Sequence, residues 1–319
     1  MLGPLIIPTY PNEKEGETYM SKNLTYQMTS SVENALALGQ DKHSTKREGG
    51  TTQDKIYSYA TRKEMLDLAH DMSRFIKEEF PDIRMVKDIK IEHINAYLKS
   101  KVGVTQATIQ SYVARINKME VLCSKKFPIK IDWRTGREVP SMEKESIRNC
   151  MITDRQIVGL EKYLDTKKDC PSKDAYYLAK AFSLRAASIT KLRYSDVNFE
   201  TMKLHIHEDK GKRSRDIDIR PQDVPILEKV MEGKSGKDRL IELRPDSICA
   251  YLNRCFKHLG YTNLVNAKTS IHAVRKYSIN QYYKEMVQQY GEKRAEELCC
   301  IRLGHGVDRK DIISHYLKK

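Results

Sequence analysis

The 319-residue chain contains no Cys-x-x-Cys pair, and its seven cysteines, an odd number, include the adjacent Cys299 and Cys300. That usage excludes a zinc ribbon and a disulfide framework, and it fits a reducing compartment. No apolar run approaches the roughly 20 residues that span a bilayer. The short run Leu5-Ile6-Ile7 lies between Pro4 and Pro8 without a basic leader, so no signal peptide is expected and a cytoplasmic location is the default. Internal repeats are absent, which excludes a solenoid. Acidic residues are in deficit: 43 Asp and Glu against 57 Lys and Arg leave a net charge of +14. Residues 151–319 carry +10 of it and residues 1–150 the other +4. A polyanionic partner is the first physical expectation, although such a charge also suits a soluble protein that is merely basic.

The length allows two domains. Residues 1–50 are rich in Ser, Thr, Asn, Lys and Gly and read as a flexible amino-terminal arm, with one short helical candidate at 32–38 and order gained on a partner. Residues 51–127 read as a small helical bundle. Met65, Leu68, Ala69, Met72, Phe75 and Ile76 form an apolar stripe that stops at Phe80-Pro81. A second helix is expected at 91–98, and a third carries Ile109, Tyr112, Val113, Ile116 and Met119. Arg115, Lys118, Lys125 and Lys126 read either as a track for a phosphate backbone or as a solvated face. Periodicity lapses over 128–151, where Pro128, Gly136 and Pro140 mark an interdomain linker and Trp133 docks it on a neighbour.

A second domain, 152–319, opens with the capping box Thr153-x-x-Gln156. Helices are expected at 173–184, 224–231, 247–259, 273–290 and 293–301. Between them Leu204 and Ile206, the turn Asp209-Lys210-Gly211-Lys212, and Ile217 and Ile219 give the alternation of a β-hairpin with a cationic tip. His205 and His207 share a strand face, but no third metal ligand accompanies them.

The last fifty residues hold the densest chemistry: His272-Ala-Val-Arg275, Leu303-Gly304-His305-Gly306, and Tyr316. His272 and Arg275 are three apart in a helical pattern and share a face. His305 and Tyr316 are eleven apart, and one continuous helix would separate them by about 16 Å. The glycines flanking His305 favour a turn instead, after which Asp308 caps a short helix carrying Ile312, Ile313 and Tyr316. Such a turn gathers two histidines, an arginine and a phenol around one small anion. Taken singly, each residue also has a plain structural reading: a surface ion pair for Arg185, turn lysines at Lys210 and Lys212, packing for Tyr316. Tyr277, Tyr282, Tyr283 and Tyr290 are rival hydroxyls by type.

The order Arg185, Lys210, His272, Arg275, His305, Tyr316, in the strings SLRAASITKLRYSDVNFE, EDKGKRSRDIDI, HAVR and LGHG, closely resembles the signature of the tyrosine recombinase (phage integrase) family. The resemblance spans 152–316, with the 55–126 region similar to the family's core-binding domain. It implies a mainly α fold with a small antiparallel β-sheet: a SAM-like helical core-binding domain plus a catalytic domain of the DNA breaking-rejoining type. It also implies a site-specific recombinase that cuts and rejoins DNA through a 3′-phosphotyrosine. Arg185 and Arg275 would hold the scissile phosphate, and His305 would add a hydrogen bond. His272 would act as base or relay, Lys210 as acid and Tyr316 as nucleophile. Lys212 and Arg213 at the hairpin tip join Arg115, Lys118, Lys125 and Lys126 as DNA-binding candidates. No cofactor and no metal are implied. The implied partners are double-stranded DNA with specific sites, a homo-tetramer on DNA from monomers in solution, and accessory DNA-bending proteins. The setting is a mobile element and a cytoplasmic, nucleoid-associated location.

Three departures from the family pattern stand out. Ser188 occupies a position often acidic, the His305–Tyr316 spacing is about two longer than usual, and only Leu317, Lys318 and Lys319 follow Tyr316. A type IB-like topoisomerase and a DNA-binding regulator of weakened catalysis are the competing functions.

Overall fold

In the computed structural model the described residues are 23–143, 150–209, 213–305, 314, 316 and 317. They belong to two compact units, Met1–Ser146 and Ile147–Lys319.

Unit 1 corrects the expectation of a flexible arm for the part of 1–50 that is described. Asn23 caps α1 (Leu24–Asn34) by accepting from the Tyr26 N–H. Leu24, Met28 and Val32, spaced by four, are fully buried against α3 (Tyr59–Glu79) and α5 (Gln106–Lys126). The stripe is disguised because Gln27 and Ser31 share it. Gln27 Oε1 accepts from the buried Val86 N–H at 2.9 Å, and Ser31 Oγ donates to Gln27 O at 2.8 Å, so both polar side chains enter the core satisfied. A short helix, α2 (Lys42–Arg47), buries nothing. The chain beyond it is pinned back by Ala37 N–H to Ile56 O and Ile56 N–H to Ala35 O.

Helix α3 follows its stripe: Met65, Leu68, Ala69, Met72 and Ile76 are buried, and it stops at Phe80, before Pro81. Phe75 meets Tyr97 of α4 (Ile91–Lys99) edge-on at 5.5 Å, and Tyr97 Oη donates to Asp71 at 2.6 Å. Residues 128–142 are not a free linker. Trp133 is fully buried and donates its indole N–H to Ile89 O at 3.2 Å, while Met142 N–H donates to Gln106 Oε1 at 2.8 Å. An indole in an aperiodic segment staples that segment to the bundle.

Unit 2 begins with α6 (Asp154–Asp165), and its capping box forms in both directions: Gln156 N–H to Thr153 Oγ1 at 3.2 Å and Thr153 N–H to Gln156 Oε1 at 3.1 Å. Its core surrounds α7 (Pro171–Phe182), which buries Ala175, Tyr176, Leu178, Ala179, Ala181 and Phe182. The four-residue α8 (Ala186–Ile189) leads into a three-stranded antiparallel sheet: β1 (Val197–Asn198), β2 (Lys203–Asp209) and β3 (Arg213–Asp218), in the order β1-β2-β3. Leu204 lies opposite Ile217, so the apolar alternation faces the core as expected, with a register shift between Ile206 and Asp209. The helices α9 (Val224–Met231), α10 (Pro245–His258) and α11 (Thr262–Asn266) complete the wall. The long α12 (Ile271–Tyr290) runs centrally against α7, α10 and α13 (Glu292–Leu303). The chain is thus mainly helical with one small antiparallel sheet.

Candidate active site

Four segments of unit 2 meet at the carboxyl end of α13. Helix α7 ends in Ser183, a non-glycine residue in the left-handed region (φ 54). That turn is braced by Ser183 Oγ against Ser278 Oγ at 2.7 Å, and Ser278 Oγ also donates to Lys180 O. It places Arg185 at the start of α8. From α12, Arg275 enters fully buried, donating Nη1 to Ser183 O at 2.6 Å and Nη2 to Leu303 O at 2.8 Å. Arg185 is half-buried and reaches the same Leu303 oxygen through Nη1 at 3.5 Å. Two guanidinium groups about 90 residues apart in the chain therefore point N–H groups at one oxygen.

The end of α13 explains why that oxygen is available. Gly304 adopts φ 74, Gly304 N–H donates to Ile301 O, and His305 N–H returns to Cys300 O at 2.9 Å. This Schellman-type closure leaves the last two carbonyls, Arg302 O and Leu303 O, without helical donors. Arg215 of β3 supplies Nε to Arg302 O at 3.3 Å, and Arg185 and Arg275 supply Leu303 O. Three cations thus sit on the negative end of the helix. Gly304 suits the turn by its positive φ, and a Cβ there would lie 2.4 Å from Arg215 Nη1, so the guanidinium would have to shift.

Tyr316 lies against this cluster. Its ring centroid is 5.7 Å from that of His272 and 6.1 Å from that of His305, and the Arg275 guanidinium carbon is 5.8 Å from it. Tyr316 O accepts from Asn280 Nδ2 at 2.6 Å, and Leu317 is buried with Ile279, Tyr282, Cys299, Cys300 and Leu303. The terminal tyrosine is therefore docked on α12 and α13. Five of the six residues drawn from the sequence come together; Lys210 lies outside the described residues, as does Lys212. Arg213 opens β3, its side chain undescribed. The short helix expected from Asp308 to Ile313 is also outside them.

Two of the rival tyrosines are engaged elsewhere and a third is remote. Tyr277 donates to Asp154 Oδ1 at 2.8 Å, and burial followed by that carboxylate pushes its hydroxyl up to about 12. Tyr282 lies under the Arg302 guanidinium at 4.4 Å, and Tyr290 is exposed at the far end of α12. Among the described residues, Tyr316 is the one of these five whose ring meets His272, His305 and Arg275.

Sequence reasoning missed Arg215, Asn280 and Arg302. Arg302 is buried, donates Nη2 to Ala181 O and is pushed down to about 10 by its burial. Only the LGHG turn, whose glycine admits a close approach, hinted that something packs there. Ser188, at the often-acidic position, is buried, and its hydroxyl has no partner among the described residues. Arg185 is instead oriented through Leu303 O.

The DNA-binding candidates of unit 1 are otherwise occupied. The Lys118 ammonium donates to Thr52 O, Gln53 O and Lys55 O at 3.3, 2.9 and 2.7 Å, which uses all three N–H groups. Burial lowers its pKa accordingly. Lys125 pairs with Asp54, Arg115 stands 3.6 Å from Glu64, and Lys126 reaches Asn34 Oδ1 at 3.4 Å. His205 pairs with Asp216 at 2.6 Å and His207 with Asp196 at 2.7 Å, and no group of three metal-ligating side chains occurs among the described residues. No helix among them is long and apolar enough to cross a membrane.

No protein-family model and no curated protein matches this chain. Solved structures do. The Tn1549 transposon integrase in complex with transposon right end DNA superposes with a TM-score of 0.58 at 12% identity, covering 92% of this chain and 94% of that one. A lambda integrase tetramer bound to a Holliday junction gives 0.58 at 15% identity, over 91% of this chain and 79% of that one. The XerH site-specific recombinase bound to difH gives 0.60 at 13% identity, over 93% and 92%. Identities this low speak for the fold alone, and they do so across nearly the whole chain: it has the fold of the tyrosine recombinases.

Proposed function

We propose that this chain is a site-specific DNA recombinase or integrase of a mobile element, cleaving and rejoining duplex DNA through a 3′-phosphotyrosine intermediate. The observation that carries the reading is the convergence of Arg185 and Arg275 on one oxygen, with Tyr316, His272 and His305 alongside. A carbonyl oxygen fills the place where a non-bridging phosphate oxygen fits, and two guanidinium groups suit the charge that builds on a pentacovalent phosphorus.

In the proposed step Tyr316 Oη bonds to phosphorus, the P–O5′ bond breaks, and the electron pair leaves on O5′. His272 takes the phenol proton as base or relay, since the phenolate oxygen and not the phenol is the strong nucleophile. Lys210 protonates O5′. The reverse attack by a 5′-hydroxyl restores a phosphodiester, so the energy of the broken bond is kept in the phosphotyrosine. Unit 1 is proposed as a DNA-binding domain in cytoplasmic, nucleoid-associated work on specific sites, with four protomers assembling on two sites.

The test is to trap the protein on a nicked duplex from which the 5′-hydroxyl fragment escapes, and to map the modified peptide by mass. An SDS-resistant adduct at Tyr316, lost in Tyr316→Phe with binding retained, supports the reading. Strong DNA binding with no adduct at any tyrosine contradicts it.

A further inference from the structure

A second cationic cluster lies in unit 2. After α8 the chain turns at Thr190-Lys191 and runs on through Leu192 and Arg193, and residues 238–240 return beside it. Leu240 N–H donates to Leu192 O and Tyr194 N–H to Asp238 O, both at 2.9 Å. This register sets Arg193 opposite Arg239 in an antiparallel bridge. Directly opposed residues project from the same face, where like charges are destabilising. Lys191 lies in the turn just before them. With His207 of β2 these residues line a cleft of about 430 Å³.

Nearby carboxylates serve other donors. Asp196 is buried, accepts from the Arg193 N–H at 2.9 Å and pairs with His207 Nε2 at 2.7 Å. Asp238 Oδ2 accepts from the Ser235 N–H at 2.9 Å. Among the described residues neither the Arg193 nor the Arg239 guanidinium forms an ion pair, and both arginines are exposed. The backbone thus holds two like charges side by side with no carboxylate between them. An anion relieves that repulsion, and the planar forks of two arginines match phosphate oxygens. The lining side chains are all basic in type, with no aliphatic or aromatic residue among them to seat a base, so the cleft recognises charge and not sequence.

We propose that Lys191, Arg193, His207 and Arg239 form a second phosphate-binding site, taking a backbone phosphodiester of duplex DNA other than the one held by Arg185 and Arg275. The site rests on the DNA-cleaving reading above. Its contribution is affinity and register, with the chemistry left to the first site.

Binding of a fluorescein-labelled duplex is followed by anisotropy across a salt series for three proteins: wild type, Arg193→Gln/Arg239→Gln, and Lys162→Gln/Lys257→Gln. The last removes the same charge from exposed positions elsewhere in unit 2. Loss of one phosphate contact lowers the slope of log K against log salt by about 1 in the arginine variant and leaves it unchanged in the lysine variant. Arg193→Lys/Arg239→Lys, which keeps the charge, keeps the slope. Single methylphosphonates scanned along the duplex give a readout that needs no altered protein. Neutralising a phosphate away from the cleavage position weakens wild-type binding, and the arginine variant is insensitive to the same change. Equal slopes in wild type and the arginine variant overturn the proposal, as does an equal loss in the lysine variant. A wild-type chain that binds no duplex at low salt overturns the DNA reading itself and the second site with it.

Discussion

Replacing Gly304 by alanine tests how the end of α13 is built, because two costs there are separable. The first is conformational: φ 74 costs a residue with a Cβ about 1 kcal/mol. The second is steric, because the Cβ falls 2.4 Å from Arg215 Nη1 and 2.8 Å from its Cζ. Arg215 must withdraw, and its charged hydrogen bond to Arg302 O goes with it, worth about 1.5 kcal/mol. Gly304→Ala is therefore expected to destabilise unit 2 by about 2.5 kcal/mol and Arg215→Ala by about 1.5 kcal/mol. In the double variant the steric cost has no object, so its loss is about 2.5 kcal/mol instead of the additive 4 kcal/mol. Guanidinium denaturation of all four proteins measures the cycle. Strict additivity in the cycle refutes the packing of Arg215 against Gly304.

Two further outcomes follow from unit 1. Lys118→Met strips the donor from three carbonyls and is expected to lower the stability of that unit by about 2 kcal/mol in urea unfolding, with no change in the salt slope of DNA binding; a lost slope would instead make Lys118 a phosphate ligand. Asp132 accepts from the Thr135 and Arg134 N–H groups at 3.0 and 2.9 Å, and the bonds from Thr135, then Arg134, hold its carboxyl down from 3.8 to about 2. A depressed acid contributes its stability fully above the ordinary value and loses it as pH falls through the folded one. An NMR titration of the Asp132 carboxyl carbon is expected to give a midpoint near 2, and a midpoint near 4 contradicts the turn that cages it.

The site was legible in the sequence where residue type and order carry it. The pairing of His272 with Arg275 follows from helical spacing, and the turn after Leu303 from Gly304; the fold places both beside Tyr316. What was not legible depends on contacts across the fold. Arg215 and Asn280 act through a carbonyl of α13 and a carbonyl of Tyr316, and no periodicity marks such partners. Helix α1 escaped because Gln27 and Ser31 interrupt its apolar stripe, yet each satisfies a hydrogen bond inside the core. Residues 128–142 read as a linker because a staple made by one indole has no pattern to detect. Lys118 shows the limit for charge: by type it matches any surface lysine, and only the three carbonyls around it reveal a pin.

The central claim is that Arg185 and Arg275 hold one phosphate at the place now filled by Leu303 O. The direct measurement is a structure of Tyr316→Phe on duplex DNA carrying its recombination site. A single backbone phosphate with oxygens about 3 Å from both guanidinium groups, and His305 beside it, is the expected result. A duplex bound with Arg185 on one phosphate and Arg275 still closed off by Ser183 O and Leu303 O contradicts the account.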